Sequence, residues 1–150
     1  MDFRVVPLAY AGGFISNQFV IRNRKWSEKL RRPEFAAPKW VYAPVWLFLY
    51  TSMGLASFLI WKNGEEEQII IPLVMYGFQF FGNMLYTPVF FGARSIKASV
   101  VVIVATLGGV ISCIILFYPI NSLASLLMIP YAAWLTWGTV VNIRCAVLNP

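Results

Sequence analysis

Catalysis needs groups that trade protons, attack electrophiles or hold metals, and this chain carries few of them. It has no histidine, and its two cysteines, Cys113 and Cys145, both fall in apolar stretches. That removes histidine acid–base chemistry and most zinc sites, and it leaves the cysteines as small packing residues. No metal site is expected. The long apolar runs contain no Asp, Glu or Lys, and Arg144, near the end of the last run, is their one ionisable cation. There is no paired carboxylate, no Ser–His set and no phosphate-cradling glycine loop. Ion-coupled transport relies on an intramembrane charge, so a pump or secondary transporter is disfavoured. What remains for function is a set of amides, phenols and indoles.

Those groups are patterned. Tyr76, Gln79, Asn83 and Tyr86 recur at i, i+3, i+7 and i+10, which places them on one helical face. Tyr131, Trp134, Gly138 and Asn142 form a second such stripe, and Asn17 with Gln18 adds amides near the end of the first run. Polar groups in hydrocarbon must be paired, so a stripe of them marks a helix contact or a ligand site. Aromatic rings supply area for a flat apolar guest and one or two amides orient its polar edge. For a single residue, packing glue is the stronger reading; for the two stripes together, a pocket is.

The elements that carry these stripes follow from composition. Of 150 residues, 59% are hydrophobic and 12% charged, where a soluble domain has about 45–50% and about 25%. Lipid is the natural solvent for such a chain. A spanning helix takes about 20 apolar residues, and the charge-free runs predict helices at 5–22, 40–61, 69–92, 96–117 and 122–147. The last two are separated at Tyr118-Pro119-Ile120-Asn121-Ser122, where Pro stops the helical ladder and Asn favours a cap. The fold expected is all-α: one domain over 1–150, an integral membrane bundle of five transmembrane helices. The runs are too long for barrel strands and lack alternation. The N-terminus does not read as a cleavable signal or a mitochondrial presequence.

Charge orients the bundle. The loop 22–39 carries Arg22, Arg24, Lys25, Lys29, Arg31, Arg32 and Lys39, and five crossings put Arg94, Lys97 and Arg144 on the same face. By the positive-inside bias that face is cytosolic. The counter-charge expected is lipid headgroups of the bilayer, not nucleic acid. On the fourth helix Ala105, Gly109 and Cys113 recur every four residues beside Gly108 and Ser112, a pattern that lets backbones approach, within the bundle or in a homodimer. Trp26, Trp40, Trp61, Tyr42 and Tyr118 lie near span ends and read as an interfacial belt, whereas Trp46, Trp134 and Trp137 lie deeper.

The run Arg32-Pro33 … Pro38-Lys39-Trp40-Val41-Tyr42-Ala43-Pro44-Val45-Trp46, continuing Leu49-Tyr50-Thr51-Ser52-Met53-Gly54, resembles the loop and second helix of the translocator protein (tryptophan-rich sensory protein) family. Gln79 … Asn83 … Pro88-Val89-Phe90-Phe91-Gly92-Ala93-Arg94 is similar to its third helix, and Ile129-Pro130-Tyr131-Ala132-Ala133-Trp134-Leu135 … Asn142 to its fifth. The resemblance covers nearly the whole chain, in wording nearer to animal than bacterial members. It implies a five-helix bundle, often dimeric, in the mitochondrial outer membrane or a bacterial inner membrane, which binds cholesterol, porphyrins such as heme and drug-like ligands beneath the first loop. It further implies that Trp46 and Trp134 match tryptophans tied to porphyrin binding and its light-dependent breakdown. Tyr50, Asn83 and Tyr86 match pocket positions, and Gly138 a small residue beside the ligand.

The chain departs from the family at Phe35 and Ala37-Pro38 in the loop, at Met84 and Tyr86 for third-helix tryptophans, at Val102 for an acid, and at Ile143 for the tyrosine of a sterol-recognition pattern. Sterol binding through that last pattern is therefore unsupported. Three functions follow: a non-catalytic membrane protein that binds and helps transfer a sterol or tetrapyrrole; a porphyrin-degrading photocatalyst using Trp46 and Trp134, with no resident cofactor; or a helical scaffold that docks partners.

Overall fold

The computed structural model describes residues 18–150. Every regular element among them is helical: residues 18–22, a short loop helix α1 (Arg24–Lys29), α2 (Lys39–Asn63), α3 (Glu66–Thr87) running into a π-helix (Pro88–Gly92), α4 (Ile96–Phe117) and α5 (Ser122–Leu148). Four of these stretches are long and apolar enough to cross a membrane, α3 together with its π-helical extension counting as one. The expected first span, 5–22, lies outside the described residues except for its last turn, and so do Asn17 and the count of five.

The starts of α4 and α5 rest on local signals. Asn121 accepts a hydrogen bond from the Ala124 amide (2.9 Å) at the start of α5, and Ser95 accepts from the Ala98 amide at the start of α4. Each satisfies an amide that a helix N-terminus leaves unpaired. Pro44, Pro72 and Pro130 lie inside α2, α3 and α5, as spanning helices tolerate when neighbours satisfy the freed carbonyls. The third span is not uniform. It leaves α-helical geometry at Pro88, and the Ala93 amide reaches back to the Pro88 carbonyl (2.9 Å). Pro88 has no N–H for the ladder, so the turn widens there. Arg94 follows with φ 54, a left-handed conformation that ends the segment.

α4 packs against α3 on one side and α5 on the other, and α2 lies along α5. α2 buries Leu49, Met53, Ala56 and Ile60; α4 buries Ile103, Val110, Cys113 and Phe117; α5 buries Ala124, Met128, Tyr131 and Leu135. Spacings of three and four keep each set on one face. The opposite faces carry Leu47, Phe48, Ile71, Val74, Val101, Ile115 and Val147 in the open, an outer coat suited to acyl chains.

The α3–α4 seam is closed by glycine from both sides. A Cβ on Gly109 would stand 2.9 Å from Phe78 Cδ1 and 3.0 Å from Gln79 Cβ, and one on Gly82 would strike the Thr106 hydroxyl. Gly109 and Cys113 are thus consumed inside the bundle, the first of the two uses expected for this face; Ala105 alone of the three is exposed. The basic end is compact: Arg94 Nε and Nη2 donate to Asn23 Oδ1 (3.3 Å each), and Asn149 meets Arg31. These contacts gather the loop, the α3–α4 turn and the C-terminus at one end. At the other, Gly64 after α2 sits against Ile69 and Ile120.

Candidate ligand-binding site

The two polar stripes are drawn into three clusters. In the first, Trp46 lies 5.5 Å from Tyr50 and 6.2 Å, edge-on, from Tyr131, ring centroid to ring centroid. Asn83 Nδ2 donates to the Tyr50 hydroxyl (3.2 Å), a bond that ties α2 to α3. One turn above Asn83, Gln79 is 0% exposed, and neither its amide nitrogen nor its oxygen has a protein partner. The Tyr131 hydroxyl is in the same condition, with Tyr50, Tyr76 and Cys113 as its electrostatic neighbours. Trp46 and Tyr50 of α2, Tyr76 of α3 and Tyr131 of α5 thus share one buried cluster, while Gln79 lies on α3 against Gly109 of α4; each of Gln79 and Tyr131 keeps a hydrogen-bonding group unspent.

In the second cluster, Asn142 on α5 donates through Nδ2 to the Tyr86 hydroxyl (3.2 Å) and lies 3.1 Å from Ser99 Oγ. Tyr86 stacks on Phe90 of the π-helix at 5.7 Å, and Phe90 receives the edge of Trp26 from the loop, also at 5.7 Å. Here the polar groups act as glue between helices, because each amide and hydroxyl has a partner on a neighbouring helix.

The third cluster is a run of rings along the α2–α5 seam. Trp134 lies 4.8 Å from Trp137 and 5.7 Å, edge-on, from Tyr42. Both tryptophans line an open cavity of about 680 Å³ with Val45, Phe48 and Leu49 of α2 and Pro130 and Ala133 of α5; Phe35 and Ala37 of the loop form its end. Phe48 is exposed on the bundle's outside, so this cavity opens toward the acyl-chain region.

Of the predicted site residues, Trp46, Tyr50 and Asn83 come together. Tyr86 belongs to the glue cluster, although it shares a helix face with Asn83. Trp134 has its ring contacts with Tyr42 and Trp137 and not with Trp46. Gly138 sits by Ile103 of α4, where an added Cβ would meet Cδ1 at 3.4 Å. Two residues assigned to the interfacial belt have structural partners instead: Trp26 on Phe90, and Tyr42 on Trp134. The spacing of Tyr42, Trp46 and Tyr50, four residues apart on one helix, was the available signal for Tyr42. Trp40, Trp61 and Tyr118 are exposed, as a belt requires.

Fold and site define a helical integral membrane protein whose interior offers rings and amides in place of charges. The TspO/MBR family profile matches residues 5–148. The chain is 36% identical over 145 residues to the translocator protein of Sus scrofa and 34% identical over 145 residues to that of Homo sapiens, covering 95% of this chain and 85% of the relative in each case. It is 30% identical over 145 residues to the tryptophan-rich protein TspO of Archaeoglobus fulgidus, covering 97% of this chain and 92% of that one. The chain belongs to the TspO/MBR family.

Proposed function

We propose that this protein binds a flat, mostly apolar guest of the sterol or tetrapyrrole class within its bundle and assists its passage across or between membranes. The observation that carries the reading is the pair Gln79 and Tyr131. Both are fully buried, Tyr131 packs in one cluster with Trp46, Tyr50 and Tyr76, and three polar atoms of the pair lack a protein partner. In hydrocarbon an unpaired amide costs several kcal/mol, with no water to relieve it. A guest with a carbonyl, carboxyl or hydroxyl on an otherwise apolar frame would satisfy those groups, while Trp46, Tyr50 and Tyr76 cover its faces. Among the described spans, acidic and basic side chains are confined to the terminal turns, Arg144 among them, which suits a guest whose buried part is uncharged.

The open cavity at Trp134 and Trp137 is the entry side of this reading. It faces the bilayer, from which sterols and porphyrins partition, and the loop bounds it. The outer mitochondrial membrane is the location we propose, since the mammalian relatives exceed the archaeal one in identity. Side-by-side titration of purified protein with protoporphyrin IX and a fluorescent sterol tests the proposal. Saturable tryptophan quenching by either guest, weakened by Trp46→Phe, is the expected result. No saturable quenching by either guest refutes it.

A further inference from the structure

The loop between residues 22 and 39 is fastened to the bundle at three places. Asn23 accepts from Arg94, and Trp26 packs edge-on against Phe90. The third fastening is of another kind. The Asn149 side chain, just past the end of α5, grips the backbone of a single loop residue on both sides: its Oδ1 accepts from the Arg31 N–H (3.0 Å) and its Nδ2 donates to the Arg31 carbonyl (2.9 Å). The second hydrogen on Nδ2 goes to the Cys145 carbonyl (2.8 Å), which fixes the amide to the last turn of α5. A carboxamide has one acceptor and two donor hydrogens to offer, and here each is used on the loop or on the helix that carries it. The Cys145 thiol adds a long contact to the same Arg31 carbonyl (3.7 Å).

Position gives the grip its meaning. On the N-terminal side of Arg31, the loop is held by α1, by Trp26 and Leu30 in an apolar cluster with Phe90 and Cys145, and by Glu28, which bonds Arg24 (2.8 Å) and Lys39 (3.4 Å). On its C-terminal side come Phe35 and Ala37, which bound the cavity at Trp134 and Trp137. Those tryptophans and Asn149 belong to one helix and its cap. Loops are carried by few apolar contacts and open locally at low free energy, so the bond at the start of the 31–37 segment bears on how often that segment lifts.

We propose that Asn149 is a latch: by bonding both backbone polar groups of Arg31 it holds the 31–37 segment shut against α5, and its release is the step that admits or frees a guest. The gating half of this proposal rests on the function proposed above; the latch itself does not.

The two halves are tested by separate readouts on the full-length protein in detergent. Limited trypsin digestion after Lys29 and Arg31 reports loop opening without any guest. Loss of both hydrogen bonds in Asn149→Ala should raise the nicking rate by about tenfold. Asn149→Asp keeps the acceptor for the Arg31 N–H and loses the donor, and should fall between the two. Asn63→Ala, at the opposite end of the bundle, should nick at the parent rate. Nicking of Asn149→Ala at the parent rate, with an unchanged melting temperature, overturns the latch. If Asn149→Ala does not fold, Asn149→Asp decides alone: parent-rate nicking overturns the latch and faster nicking upholds it. The second readout is dissociation of protoporphyrin IX, expected to accelerate in step with nicking. Faster nicking with unchanged dissociation leaves the latch standing and overturns the gating. Failure of the parent to bind porphyrin or sterol is instead a failure of the proposed function.

Discussion

Gln79 gives the sharpest test of how the interior works, because one substitution should move two properties in opposite directions. Its amide is buried with both polar atoms unpartnered, one turn from the Asn83–Tyr50 bond. Gln79→Met keeps an unbranched side chain of similar length, which matters because Gly109 presses on the Gln79 Cβ. Each orphaned buried group costs about 1–3 kcal/mol, and a volume-conserving swap loses less than about 1.5 kcal/mol in packing. Guest-free Gln79→Met should therefore be more stable than the parent, by up to about 3 kcal/mol. The same change deletes a hydrogen bond to the guest, so affinity for protoporphyrin IX should fall by about three- to tenfold. Thermal unfolding in detergent, with and without porphyrin, reads both: the guest-free midpoint rises, and the extra stabilisation on adding porphyrin shrinks. A guest-free protein destabilised by the substitution would show that the amide already has a partner and that the interior is packed for its own sake.

Other perturbations separate glue from site. Asn142→Ala takes the partner from the Tyr86 hydroxyl, while Ser99 keeps its bond to the Ile96 carbonyl, and should destabilise the bundle by about 1–3 kcal/mol with little change in guest affinity, measured by the same melts and titrations. Gly109→Ala forces α3 and α4 apart at Phe78 and Gln79 and should cost about 1–3 kcal/mol, whereas Gly108→Ala, with open space around its Cβ position, should lie within about 0.5 kcal/mol of the parent. The loop should respond to acid. Hydrogen bonds from Arg24 and then Lys39 hold the Glu28 carboxyl below its ordinary value. Its contribution is therefore complete above the unfolded-state value of about 4.3 and is lost as pH falls through the lowered one. Amide exchange in residues 23–32, corrected for intrinsic rates, should rise in that acid window, and Glu28→Gln should remove the pH dependence.

Much of the fold could be read from the chain because its signals are short-range. Charges end the spans at Lys39, Lys62 and Arg94; Pro119 and Asn121 split the last apolar run; and the structure places α4 at Ile96–Phe117 and α5 at Ser122–Leu148, against 96–117 and 122–147 expected. The π-helix at Pro88–Gly92 was visible only as a proline near the end of a span, which does not distinguish a stop from a widened turn. Of the site, the trio Trp46, Tyr50 and Asn83 was named from motif and spacing, and the structure joins them. Tyr86 and Gly138 were named on the same grounds and turned out to serve α5 and α4 contacts. The Arg31–Asn149 pairing had no sequence signal, since nothing in either neighbourhood specifies a partner 118 residues away.

The sequence by itself determined that this chain lives in lipid, where its helices begin and end, which side chains share a helical face, and which family it resembles. Those properties depend on hydropathy and on a period of 3.6 residues, both local. Only the tertiary structure decided which face meets which. The rotation and crossing of neighbouring helices sent Asn83 to α2 and Tyr86 to α5 from a single stripe. They turned Gly109 and Cys113 inward, set Trp134 beside Tyr42, and left Gln79 and Tyr131 buried with polar atoms to spare. Periodicity fixes a direction around one helix axis, and a partner exists only when a second axis is placed beside it.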